Sequence, residues 1–176
     1  MEKVFINING GVDNDMLNSF IRLHEQSKWD YKDKHIVCYF CSNGWDTAIG
    51  KCIVDVINDI ENFTLVAQAQ IASCWFDIFF FAKCKKKVSP ICRWMCHIGW
   101  FDTNINHRIE KEQWWSQRVI MEDIKISSNK NAKFYKKMGM KKSDLKRYKQ
   151  DNDINYSSRQ LKMFVNNQKQ IWYIQD

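Results

Sequence analysis

The stretch His35-Ile36-Val37-Cys38-Tyr39-Phe40-Cys41-Ser42-Asn43-Gly44-Trp45-Asp46-Thr47 decides the fold. Its first half is a short, nearly continuous apolar run, the pattern of a strand covered on both faces of a parallel sheet. The run stops at Ser42-Asn43-Gly44, a turn signal, and Asp46 or Thr47 can cap a helix behind it. Beyond that cap Ala48, Ile49, Cys52, Ile53, Val56, Ile57 and Ile60 recur at the spacing of one buried helix face. A strand, a turn and an amphipathic helix in this order form the first part of a β-α-β unit.

Working outward, the same alternation repeats. Upstream, Val4, Ile6 and Ile8 alternate with other residues and end at Asn9-Gly10-Gly11, predicting a strand and a turn. Met16, Leu17, Phe20, Ile21 and Leu23 then predict a helix, with Asp13 or Asn14 as its N-cap. Downstream, a strand is expected over Phe63 to Ala67, a strongly apolar helix from Ser73 to about Ala82, and extended structure within Lys87 to Met95. The order β-α-β-α-β-α-β predicts an α/β fold of repeated β-α-β units, with a mainly parallel sheet and right-handed crossovers. Ligands on such sheets gather at the carboxyl ends of the strands. Residues 106 to 144 are helical in character and rich in Lys, Glu and Gln, an added extension. Asp151 to Tyr156 precedes a last helix that Ser157 or Ser158 can cap. No repeat or linker divides the chain, so residues 1–176 are expected to form one domain.

Composition narrows the class. Apolar residues make up 45% of the chain and only Pro90 is proline, a globular balance. The net charge of +7 permits a nucleic-acid partner, but Asp and Glu are interleaved with the lysines, so solvated surface is the reading. Seven cysteines and no basic start followed by an apolar stretch point to a reduced, cytoplasmic setting. The longest apolar run, Cys74 to Cys84, contains Asp77 and Lys83 and falls well short of a membrane span. Cys38-x-x-Cys41 and Cys92-x-x-x-Cys96-His97 have the look of zinc spacing. Residues three apart on a strand point to opposite faces, however, so Cys38 and Cys41 are expected in the core and no metal is expected.

Three loops at strand ends hold the groups that could carry chemistry: Ser42-Asn43-Gly44-Trp45, Ala69-Gln70-Ile71-Ala72-Ser73-Cys74 and Met95-Cys96-His97. Acyl transfer needs a serine hydroxyl, an imidazole in reach of it, a carboxylate that fixes the imidazole tautomer, and N–H donors for the oxyanion. Each residue also has a plainer reading: Ser73 as a helix cap, His97 as a packed core histidine and Asp153 as a turn residue.

The order and spacing of these segments resemble the Clp proteolytic subunit family, of the crotonase-like α/β type. Cys41-Ser42-Asn43-Gly44 is similar to the family's Ser-Pro-Gly-Gly turn, and Ala72-Ser73-Cys74 to its Gly-x-Ala-Ala-Ser-Met segment at the head of a helix. Pro90 with Arg93-Trp94-Met95-Cys96-His97 resembles its Pro-Asn-x-Arg-x-Met-Ile-His. Asp151-Asn152-Asp153-Ile154-Asn155-Tyr156-Ser157-Ser158 resembles its Asp-Arg-Asp-x-x-x-Ser-Ala stretch. The resemblance implies a serine-type endopeptidase with Ser73 as nucleophile, His97 as general base and Asp153 as the orienting acid, Asp151 being the alternative acid. It implies backbone N–H groups of Trp45 and Cys74 as oxyanion donors. It also implies no cofactor, a peptide or protein substrate, a homo-oligomer of one ring or stacked rings, and a handle formed by residues 106–144. The family carries a pore-lining segment ahead of its first strand, where this chain has Met1 and Glu2, so an ATPase unfoldase partner is not expected.

The chain departs from the family at several places. Trp45 and Trp75 stand at family glycines, Ala69 replaces the glycine before the nucleophile, and Ile98-Gly99 replaces Gln-Pro. Two hypotheses address the tryptophans. Either the indole of Trp45 fills the site of a catalytically silent structural or assembly subunit, or the gene is read by a code in which UGA specifies glycine. A Ser-Lys variant of the chemistry, as in signal-peptide peptidases, has Lys83 and Lys87 as candidates.

Overall fold

Asp13 and Asp46 start the first two helices as N-caps: Asp13 Oδ1 accepts the Met16 N–H at 2.9 Å, and Asp46 Oδ1 accepts those of Ala48 and Ile49 at 2.7 and 3.0 Å. The computed structural model describes residues 1–97, 126, 129–149 and 153–172. Its elements are β1 (Lys3–Asn9), α1 (Asn14–Lys28), β2 (His35–Ser42), α2 (Thr47–Asn58), β3 (Phe63–Ala72), α3 (Cys74–Phe81), β4 (Lys85–Val88) and β5 (Arg93–Cys96). After these come α4 (129–137), α5 (Lys142–Lys149), β6 (Ile154–Tyr156) and α6 (Ser158–Trp172). The predicted α/β class is the observed one. The sheet runs β1-β2-β3-β5-β6, with β4 also on β3, and among the described strands only the β5–β6 pair is antiparallel.

Two features differ from expectation. β3 does not end near Ala67 but continues to Ala72, and its register against β2 shifts between Phe40 and Ser42. Gln68, Ala69 and Gln70 are exposed there, and Ala69 takes φ 56°. This irregularity lets β3 change neighbour: Thr64–Ala67 pair with β4, whereas Gln70–Ala72 pair with β5. β6 was not anticipated, since three residues are too few for any periodicity to register.

The core is built around α3, which is apolar on nearly all sides and buried accordingly. Trp75 lies tilted against Phe40 (centroids 4.7 Å), Phe79 meets Trp94 edge-on (5.1 Å), and Phe76 meets Tyr135 of α4 (5.2 Å). Trp75 Nε1, Trp94 Nε1 and the Tyr135 hydroxyl are buried with no hydrogen-bond partner. Of the helical extension expected over residues 106–144, only 126 and the part from 129 onward belong to the described residues, and they are largely helical. Ile98 and Gly99 lie outside the described residues. Among those described, no helix is long and apolar enough to cross a membrane.

Candidate active site

Where β3 gives way to α3, the chain turns from extended to helical at a single residue, Ser73, with φ 56° and ψ −131°. A non-glycine residue in this region costs about 1–3 kcal/mol, and such strain clusters at functional sites. Ser73 stands at the N-cap position, yet its side chain makes no capping bond, so the plain helix-cap reading does not describe it. Its N–H donates to the Met95 carbonyl (3.0 Å), which ties the elbow to the end of β5. The first helical bond runs from the Phe76 N–H to the Ser73 carbonyl (2.9 Å), leaving the amides of Cys74 and Trp75 without an intrahelical acceptor at the positive end of α3.

The turn after β2 lies directly against this elbow. Gly44 has φ 88°, and a Cβ placed on it would stand 2.5 Å from Ser73 Cβ and 2.8 Å from the Ala72 carbonyl oxygen. Only glycine permits that approach. The turn is held by buried Ser42, whose Oγ accepts the Gly44 N–H (3.0 Å). It is clamped to the loop after β1: Val12 N–H donates to the Gly44 carbonyl and the Val12 carbonyl accepts the Asp46 N–H, both at 3.1 Å. The Trp45 N–H donates to Cys74 Sγ at 3.3 Å.

Trp45 itself takes φ 154°, a backbone that favours glycine, and the residue is 83% exposed. The expectation that this indole fills the site is therefore corrected: the clamped turn presents it to solvent. Trp75, by contrast, is fully buried in helical backbone.

His97 and Asp153 are placed by strand register. Ala72 pairs with Met95 across β3–β5, and Cys96 pairs with Ile154 across β5–β6. His97 and Asp153 each lie one residue beyond that last β5–β6 pair. Because β6 runs the other way, its first residue lies at the same end of the sheet as the last residues of β3 and β5, so Ser73, His97 and Asp153 share the carboxyl-end region. Their side chains are not hydrogen-bonded to one another. His97 Nδ1 is buried without a partner. Asp153 is exposed, and its main-chain carbonyl accepts from Arg147 Nη2 of α5 at 2.9 Å. Asp151 lies outside the described residues. The two lysines of the Ser-Lys reading are remote: Lys83 follows the far end of α3, about 12 Å of helix away, and Lys87 pairs with Val66 in mid-sheet.

Burial pushes the Cys74 thiol up to about 12, with the Trp45 N–H pulling partly the other way. Asp77, one helical turn beyond Ser73, was not singled out as functional from the sequence, although a lone carboxylate in an apolar helix is a signal. Burial raises its carboxyl to about 7, Lys51 opposes the shift, and Oδ2 accepts from Asn131 Nδ2 of α4 at 3.4 Å. Cys38 is buried on the core face of β2 and Cys41 lies on the other, half-buried. Among the described residues no group of three or more His, Cys, Asp or Glu could hold a metal ion.

The fold is similar to that of a mutant of ClpP1 from Listeria monocytogenes, with a TM-score of 0.67 and 16% sequence identity over 92% of this chain and 86% of that one. No protein-family profile and no curated protein matches the sequence. The chain thus has a ClpP-like fold. At that identity the likeness carries the fold, and any chemistry must rest on the residues themselves.

Proposed function

We propose that the chain is a serine-type endopeptidase. The observation that carries this reading is the elbow: Ser73 at φ 56° between β3 and α3, uncommitted as a cap, with the Gly44 backbone packed on it. A strained strand-to-helix turn that exposes a serine hydroxyl beside free helix N–H groups is the arrangement that nucleophilic catalysis uses. The fold's likeness to ClpP1 agrees with a protease-type activity.

In this reading Ser73 Oγ attacks the scissile carbonyl carbon while His97 takes its proton. The Asp153 carboxylate, one residue before the Ile154 that pairs with Cys96, fixes the imidazole tautomer through Nδ1, the atom that now lacks a partner. The oxyanion takes N–H bonds from Cys74 and from Trp45, whose N–H exchanges a weak sulfur acceptor for a charged oxygen. His97 then protonates the leaving amine as the C–N bond breaks, and water hydrolyses the acyl-enzyme by the reverse sequence. No cofactor is needed for these steps. Catalytic hydrogen bonds are often open in a free enzyme and close around substrate. The substrate is a peptide or protein, and the active form is a homo-oligomer, one ring or stacked rings, in the cytoplasm.

A second reading, a silent assembly subunit, is favoured by the unpaired His97 Nδ1. Hydrolysis of a quenched-fluorescent peptide library separates the two. The peptidase reading expects turnover that Ser73→Ala abolishes and Asp153→Asn lowers at least about 100-fold; turnover that survives Ser73→Ala would belong to a contaminant and leave the subunit reading in place.

A further inference from the structure

The edge of the sheet opposite β6 offers a second binding surface. β1 is the terminal strand, in unbroken one-to-one parallel register with β2. The flanking bonds fix its phase: the His35 N–H reaches the Glu2 carbonyl at 2.8 Å, and the Gly10 N–H reaches the Cys41 carbonyl at 3.3 Å. In a parallel ladder alternate residues turn both main-chain groups to the same neighbour. Val4, Ile6 and Ile8 therefore face β2, and the N–H and C=O of Phe5, Asn7 and Asn9 point outward, with no strand beside them among the described residues.

A groove of about 340 Å³ runs along this edge, between Ile6–Gly11 and a flank of α1 that carries Asp15, Met16, Ser19, Leu23 and Gln26. Asp13 also borders it, and among the described residues no Lys, Arg or His does, in a chain whose net charge is +7. Asp15 has no ion-pair partner among the described residues. Shape, free main-chain groups and local acidity agree on one kind of occupant. We propose that this groove binds an extended, basic polypeptide segment that adds to β1 as a further strand, its main chain pairing with Phe5, Asn7 and Asn9 and its Lys or Arg side chains meeting Asp13 and Asp15. The groove ends at Gly10-Gly11, next to the Val12 that clamps the Gly44–Asp46 turn, so a bound segment lies beside the candidate active site.

The test is a fluorescence-anisotropy titration with a fluorescein-labelled peptide of alternating lysine and threonine, in the Ser73→Ala background so that no turnover consumes the probe. Saturable binding is expected. Affinity should fall at least tenfold with Asn7→Pro, which deletes an outward N–H and leaves the β1–β2 ladder intact, with Asp15→Lys, and with N-methylation of alternate peptide amides. Asp15→Lys is a surface change, so it decides the matter even if Asn7→Pro folds poorly. Absent binding, or binding indifferent to Asp15→Lys and to N-methylation, overturns the proposal. A dimer seen by sedimentation and dissolved by Asn7→Pro would overturn it too, assigning the edge to a second copy of the chain. None of these outcomes depends on whether Ser73 is reactive.

Discussion

The two tryptophans that the resemblance to the Clp family sets at glycine positions sit in regions that treat them in opposite ways. In the Ser42–Asp46 turn, Trp45 has a backbone that favours glycine and is 83% exposed. In α3, Trp75 has ordinary helical backbone and a side chain fully buried against Phe20 and Phe40. The turn is specified by its main chain, which Val12, Ser42 and Cys74 hold from three sides. The helix is specified by its side chains, which fill the core. One consequence is that the turn should tolerate changes of side chain and not of backbone, and the helix the reverse.

The largest effect should come from forcing the turn's backbone. Gly44→Ala drives a Cβ into Ser73 and the Ala72 carbonyl at left-handed φ. Peptide turnover is expected to fall at least about 100-fold and stability by about 2–4 kcal/mol, read by hydrolysis rate and urea midpoint. Near-normal turnover would mean that the turn does not press on the elbow.

A change of intermediate size tests the helix. Folding raises the Asp77 carboxyl from 3.8 to about 7, so the folded state binds more protons than the unfolded one between those values. Stability contributed by this group is present below about pH 4 and is lost as pH rises through 7. Asp77→Asn removes that loss: a gain on the order of 2 kcal/mol is expected at pH 8, allowing for partial exposure, and none at pH 4. An equal effect at both pH values would sink the assignment.

The smallest effect concerns Trp45. Trp45→Gly relieves an unfavourable φ at a cost in unfolded-chain entropy, for a net gain of up to about 1 kcal/mol with turnover retained. The intact mass of the natively produced protein belongs with this comparison. A mass that accommodates all eight tryptophans of the sequence excludes the UGA-glycine hypothesis, and a lower mass by whole Trp-to-Gly differences establishes it.

The alternation of elements was legible because each strand or helix shows its own period: the apolar run at His35–Cys41 and the one-sided pattern after Thr47 became β2 and α2. The end of β3 was not legible. Gln68-Ala69-Gln70 is polar because the strand is irregular and exposed there, and a pattern of burial cannot mark a strand that is not buried. β6 escaped for want of length, so the nearness of the Asp153 segment to the end of β5 could be drawn only from the family resemblance and never from spacing. In the sequence Ser73 and Gly44 belong to separate loops. Their contact is a tertiary fact, made by β2 and β3 ending together, that no local signal encodes.

The most direct test of the elbow as an activated nucleophile is reaction of the purified protein with a fluorophosphonate probe, followed by mass mapping of the modified peptide, with His97→Ala as control. Modification at Ser73 that disappears in the variant is the predicted result. A folded sample left unmodified at Ser73, or modified equally without His97, would contradict it.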